Sequence, residues 1–214
     1  MQLFTYFRST AAYRVRIALN IKRREAEQHF VNLVKDGGDQ HKPSFRKLNP
    51  QGLIPVLVSD GIAISQSLAI IEYLEEVQPN PPLLPSNPLD RAWVRGLAMA
   101  VACDIHPLNN LRVLKYLENE ISVNEETKLT WYRNWVAQGF AGLEETLAND
   151  PRKGKFCYGD APGLADIFLV PQVFNANRFD CDMTSYPTLQ QINATCLTLP
   201  EFQQAAPEQQ PDAI

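Results

Sequence analysis

The chain has 214 residues, 45% hydrophobic and 21% charged, which is the balance of one large soluble folded domain or two modest ones. A formal net charge of −4 speaks against nucleic acid as the main partner, and no apolar run approaches the length of a membrane span. The cysteines Cys103, Cys157, Cys181 and Cys196 form no CxxC pair, and His29, His41 and His106 are scattered. Neither a metal site nor a disulfide scaffold is therefore expected, and the cysteines read as buried free thiols.

Met1 to Phe7 reads as a strand, with no basic flank and cleavable apolar core, which points to a cytoplasmic protein. A helix follows, with Val15, Ala18, Leu19 and Lys22 on one face and Lys22 as its odd member. Arg16 reads as a solvated surface charge. Glu27 to Asn32 suits a second strand, and His41 to Leu48 a short helix anchored by Phe45 and Leu48. Val56-Leu57-Val58 and Ile62-Ala63-Ile64 flank Ser59-Asp60-Gly61, read as a hairpin with a three-residue loop. A helix from about Ser67 to Val77 then turns Leu68, Ile71 and Leu74 inward. The order βαβ-α-ββα is that of a thioredoxin-like α/β domain.

Between Gln78 and Pro88 five prolines fall within eleven residues, which makes a stiff breaker. The expected organisation is a thioredoxin-like domain over 1–83, a proline-rich linker over 84–89, and an all-α domain over 90–214. Helical periodicity runs through Asp90–Cys103, Leu108–Glu120, Glu125–Leu147, Leu164–Arg178 and Thr188–Leu197. Gln203 to Ile214 is polar and contains proline, and reads as a surface tail. Residues 1–84 hold ten Lys and Arg against eight Asp and Glu, a difference within ordinary scatter.

Three places carry candidate chemistry. Arg8-Ser9-Thr10 stands where a strand gives way to a helix, whose first N–H groups and positive dipole end suit an anion such as a thiolate. No cysteine lies in that stretch, so a sulfur nucleophile has to come from a bound molecule. Ile54-Pro55 precedes the hairpin, in the slot where a thioredoxin-like domain usually has a cis proline. There the Ile54 backbone would pair with a peptide ligand as an added strand does. Ser65-Gln66-Ser67 opens a helix, either as a simple cap or as a holder of a bound carboxylate.

Phe7-Arg8-Ser9 leading into Tyr13-Arg14-Val15-Arg16-Ile17-Ala18-Leu19, with Gln66-Ser67-Leu68-Ala69-Ile70-Ile71-Glu72, resembles the zeta class of glutathione transferases. Asn49-Pro50, Leu83-Leu84-Pro85, Leu164-Ala165-Asp166, Leu169-Val170-Pro171-Gln172 and Tyr186-Pro187-Thr188 extend the likeness along nearly the whole chain. The resemblance implies a glutathione transferase fold, a homodimer, and glutathione-dependent cis–trans isomerisation of a maleyl keto acid in aromatic compound catabolism. It also implies site roles. The class's Ser-Ser-Cys-Ser signature falls on Ser9-Thr10-Ala11-Ala12, so Ser9, with Thr10 beside it, would face the glutathione sulfur. Ala11 excludes a protein-cysteine nucleophile at that position. Ile54 and Pro55 would meet the cysteinyl backbone, Gln66 and Ser67 the γ-glutamyl end, and Gln40 the glycyl end. His106 and Asn110 would line the pocket from the helical domain. Arg8, Arg112 and Arg178 would clamp substrate carboxylates, with a helix C-terminal cation as the plainer reading of Arg178. Residues 103–110 with Arg112 lean mildly toward the maleylpyruvate-type enzymes. Gly163, where many transferases carry Ser or Thr, leaves a one-sided capping box with Asp166. General conjugation of electrophiles and a non-catalytic binding module are the alternative readings.

Overall fold

The computed structural model describes residues 1–213 and divides into two compact units, residues 83–197 and the remainder of the chain on either side. In the first unit, β1 (Gln2–Thr5), α1 (Thr10–Ile21), β2 (Glu27–Phe30), α2 (Pro43–Leu48), β3 (Val56–Ser59), β4 (Ile62–Ser65) and α3 (Ser67–Val77) follow in chain order. The sheet runs β2-β1-β3-β4, with β2 parallel to β1 and the other pairs antiparallel. This is the thioredoxin-like order expected from the pattern. Phe45 of α2 packs with Val31, Val56 and Phe4 in one cluster. Helices α1 and α3 pack together, burying Val15, Ala18, Leu19, Ile70, Ile71 and Leu74. The hairpin is tighter than the sequence reading had it. Ser59 pairs with Ile62, so the loop is the two residues Asp60 and Gly61, at φ 50° and 78°. Two left-handed residues match the twist of the flanking strands, and Asp-Gly tolerates them.

Charged residues of α1 and of its C-cap, Lys22, depart from their usual fate. Lys22 is fully buried, and its ammonium donates to Glu75 at 2.5 Å and to the carbonyls of Gln78 and Pro81 at 2.7 and 2.6 Å. All three of its donors are thereby used, which is what burial of an ammonium requires. Arg16, read from sequence as a surface charge, is 3% exposed. Its guanidinium donates to the Ala205 carbonyl, Thr5 Oγ1, the Tyr6 carbonyl and the Phe7 carbonyl at 3.0 to 3.4 Å. Burial lowers its pKa to about 10, so it stays charged at neutral pH.

The described residues of the segment read as a tail, Gln203 to Ala213, do not hang loose, and Ile214 lies outside the described residues. They complete α9 (Pro200–Ala205) and make a 3₁₀ turn at 207–209, and α9 packs on α1 in the first unit. Tyr13, Arg16 and Asn20, spaced along one stripe of α1, donate to the carbonyls of Phe202, Ala205 and Glu201. Phe202 and Ala205 are buried beside them.

The second unit is helical: α4 (Pro88–Met99), α5 (Leu111–Asn119), α6 (Glu125–Asn149), α7 (Leu164–Arg178) and α8 (Pro187–Cys196). A π-helical turn at Ala100–Ile105 continues α4. Helix α7 packs against both α4 and α8. At its start the Asp166 carboxylate accepts from the Gly163 and Cys157 amides at 2.9 and 2.8 Å, so one half of the capping box is present. Burial pushes the Asp166 carboxyl above its ordinary range despite these bonds. The cysteines are not uniformly buried as expected. Cys157 and Cys196 are buried, Cys181 is half-buried and Cys103 is exposed.

A thiol reagent should label Cys103 first in the native protein. Cys181, whose thiol burial pushes up to about 11, should follow and accelerate as pH rises toward that value. Cys157 and Cys196, pushed further up, should react only on unfolding; timed labelling read by mass spectrometry checks this order. A second test concerns packing. A Cβ at Gly139 of α6 would come within 2.2 Å of Ile105 Cγ1, whereas at Gly142 it meets open space. Gly139→Ala should therefore cost about 1–3 kcal/mol by overpacking. Gly142→Ala should gain up to about 1 kcal/mol from helix propensity. Urea unfolding of the two variants reads the opposite signs.

Candidate active site

Ser9 is the N-cap of α1, at φ −72° and ψ 113°, and its Oγ accepts the Ala12 amide at 3.2 Å. A hydroxyl has two lone pairs and one proton, so this cap uses a lone pair and leaves the O–H as a donor. The turn before it is closed by the Ser9 amide donating to the Tyr6 carbonyl at 3.0 Å. Ser9 and Ala11 are half-buried, while Thr10 is 3% exposed. Of the two hydroxyls, Ser9 is the more accessible. No side-chain sulfur lies in this turn, because position 11 is alanine.

Arg8 is also half-buried. Its guanidinium donates to the Tyr6 hydroxyl at 2.9 Å and lies 4.8 Å from the Phe7 ring centroid. Aromatic stacking keeps the planar fork oriented and leaves further donors for a carboxylate.

The Ile54–Pro55 peptide is cis, as expected from its place before β3. Ile54 lies just outside the ladder, whose pairing begins at Val56. Gln66 has φ 73° and ψ 119°, a backbone conformation that a residue with a side chain rarely adopts. Held strain of this kind gathers at ligand clamps. The exposed Gln66 amide reaches Gln51 Oε1 at 3.2 Å. Ser67, first residue of α3, is 7% exposed, and its Oγ accepts from Arg14 Nη1 at 3.3 Å. A guanidinium buried beneath the N-terminus of α3 adds to the positive end of that helix, which suits a carboxylate. Gln40 is 6% exposed, with its amide folded beneath Gly38 and its Nε2 3.4 Å from the Leu33 carbonyl.

Arg14 and Gln51 were missed in the sequence. The signal for Arg14 was the lack of a polar face from Ala11 to Leu19, since a helix that is apolar all round is buried together with its arginines. For Gln51, no local pattern marks a contact fifteen residues away.

The remaining candidates belong to the second unit. His106 follows the π-helical turn, and its amide donates to the Val101 carbonyl at 2.9 Å. Asn110 caps α5, its side chain accepting the Arg112 amide at 3.1 Å, and the Arg112 side chain is exposed. Arg178 is exposed in the last turn of α7, 5.1 Å from the Phe179 ring centroid, a position that also suits a helix C-terminal cation. Thus Arg8, Ser9, Thr10, Ala11, Gln40, Ile54, Pro55, Gln66 and Ser67 share the first unit. His106, Asn110, Arg112 and Arg178 are carried by the second.

A family profile described as "Glutathione S-transferase, N-terminal domain" matches residues 3–82. A Vibrio cholerae protein named "Probable maleylacetoacetate isomerase" is 54% identical over 99% of this chain and 97% of its own length. Among solved structures, a maleylpyruvate isomerase described as a bacterial zeta-class glutathione transferase superposes with a TM-score of 0.97. Its identity is 44%, with both chains covered in full. A maleylacetoacetate isomerase from Methylobacterium extorquens AM1, with malonate and GSH bound, gives a TM-score of 0.96 at 42% identity over both full chains. The chain therefore belongs to the zeta class of glutathione transferases, among the maleylacetoacetate and maleylpyruvate isomerases.

Proposed function

We propose that this chain is a glutathione-dependent isomerase that converts a cis maleyl keto acid to its trans isomer. The observation that carries the reading is Ser9: a helix cap whose oxygen is engaged by the Ala12 amide and whose proton is left to donate, in a turn without a cysteine. Glutathione, when bound, supplies the thiolate whose reversible addition turns the cis double bond into a rotatable single bond.

The chain's own residues prepare and direct that chemistry. A free thiol, with a pKa of about 8.5, is mostly protonated at neutral pH. The Ser9 O–H and the N-terminus of α1 favour its anionic form at the sulfur position, by hydrogen bonding and by the dipole end. Ile54 offers its backbone to the cysteinyl segment. Gln66 and Ser67, with Arg14 behind them, suit the γ-glutamyl carboxylate. Gln40 reaches the glycyl end when its amide turns out from beneath Gly38. These donors match a tripeptide with a carboxylate at each end. Arg8 holds a carboxylate of the second substrate and stabilises the negative charge that grows on its keto group. The Methylobacterium protein was solved with malonate as well as GSH bound, which supports a dicarboxylate partner for such a site.

Maleylacetoacetate and maleylpyruvate share the maleyl-keto end that these groups address. The 54% identity to a protein named for maleylacetoacetate favours that substrate over the lean of residues 103–112. A homodimer in the cytoplasm completes the reading, and no helix among the described residues is long and apolar enough to cross a membrane.

Loss of the cis-dienoic absorbance of maleylacetone and of maleylpyruvate, followed with and without glutathione, tests the proposal. The wild type should isomerise at least one of them only when glutathione is present. Ser9→Ala should lower kcat/KM by about a hundredfold, the scale of losing one preorganised donor to a developing anion. No glutathione-dependent turnover would overturn the isomerase reading. Faster conjugation of aryl halides would favour a general transferase, and failure to bind a glutathione resin a non-catalytic module.

A further inference from the structure

The Asp212 Oδ2 accepts the Phe7 amide at 3.0 Å, across 205 residues of sequence. On the other side of the same residue, the Phe7 carbonyl accepts from Arg16 Nη2 at 3.1 Å, and the Tyr6 carbonyl from Arg16 Nη1 at 3.4 Å. The Arg16 Nε is tied to the Ala205 carbonyl at 3.0 Å, so one guanidinium joins the carboxy-terminal segment to the turn before Ser9. The Asp212 charge favours the buried guanidinium, and its Oδ1 is buried without a hydrogen-bond partner among the described residues. Both the N–H and the C=O of Phe7, two residues before the cap, are therefore held by ionised groups, one of them supplied by the carboxy-terminal segment.

We propose that Asp212 and Arg16 are positioning residues that clasp Phe7 and so set the direction of the Ser9 hydroxyl. The inference rests on the thiolate-stabilising role of Ser9 proposed above. Charge-assisted hydrogen bonds hold geometry more firmly than neutral ones. A small misplacement of a catalytic donor is enough to lose rate. Without Asp212 the Phe7 amide loses its acceptor, and the Arg16 charge loses the carboxylate that favours it.

The test uses the full-length protein with Asp212→Ala, Asp212→Asn and Arg16→Lys. Amide exchange at Phe7 reads the clasp itself. The pH dependence of kcat/KM for glutathione-dependent isomerisation reads the thiol that Ser9 addresses. Asp212→Ala should speed Phe7 exchange, move the acidic limb to higher pH and lower kcat/KM by about tenfold, equivalent to 1.4 kcal/mol. Asp212→Asn, which keeps an acceptor without the charge, should fall between Asp212→Ala and wild type. Arg16→Lys keeps the charge but not the planar fork, and should shift the limb in the same direction as Asp212→Ala. A plain loss of stability would lower the melting temperature but leave the acidic limb in place. An unmoved limb in folded Asp212→Ala or Asp212→Asn overturns the proposal, as does unchanged Phe7 exchange. If the wild type itself shows no isomerisation, the functional reading fails, and the clasp is judged on Phe7 exchange alone.

Discussion

One hydroxyl at the end of one helix is the constraint on which the rest of the arrangement depends. Ser9 terminates α1, which needs its oxygen as an acceptor for the Ala12 amide, and its proposed role requires that its proton stay available. Both demands are met only while the turn from Tyr6 to Ser9 holds its shape. That turn sits between a short strand and a helix of which Ala12 to Leu19 are buried without a break. The site is therefore precise because its supporting helix has almost no exposed face on which to shift.

Burying such a helix sets a second condition, because α1 carries polar side chains that must find partners. Lys22 is matched by Glu75 and two carbonyls, Arg14 lies against Ser67, and Arg16 gathers four acceptors. Tyr13 and Asn20 complete a polar stripe with Arg16 that docks on the carbonyls of α9. The carboxy-terminal segment thereby becomes part of the first unit, even though 115 residues of helical unit separate them in sequence. Structural bonds and site bonds share these residues: the Arg14 guanidinium that helps fill the core also sits beneath the N-terminus of α3.

Much of this architecture was legible in the residues. Period and breakers placed α3 at Ser67–Val77 and α7 at Leu164–Arg178, and Ser59-Asp60-Gly61 between two apolar runs marked the hairpin. The cis peptide at Pro55 and the strand-to-helix turn at Arg8-Ser9-Thr10 followed from their places in a recognised element order, whereas the capping bond of Ser9 did not. What escaped was set by partners far along the chain. The run from Ala11 to Leu19 signals a buried helix, but nothing near Arg16 announces an acceptor 189 residues away, so the partners of its guanidinium were invisible locally. For the same reason the segment from Gln203 onward read as a tail: its composition is polar, and the two buried anchors, Phe202 just before it and Ala205 within it, make too short a pattern to signal a helix. The hairpin loop was read one residue too long because Ser59 resembles a turn residue yet closes the ladder opposite Ile62. Gln40 was assigned by likeness alone, and its inward-folded amide is a detail of packing against Gly38 that no motif encodes.

The proposed role of the α1 cap is to stabilise a thiolate the protein does not itself possess. Titrating the thiolate absorbance of glutathione bound to the wild type and to Ser9→Ala tests it most directly. The account predicts that the bound thiol ionises well below the free value of about 8.5, and that Ser9→Ala returns it toward that value. A bound thiol in the wild type that ionises no more readily than free glutathione would contradict it.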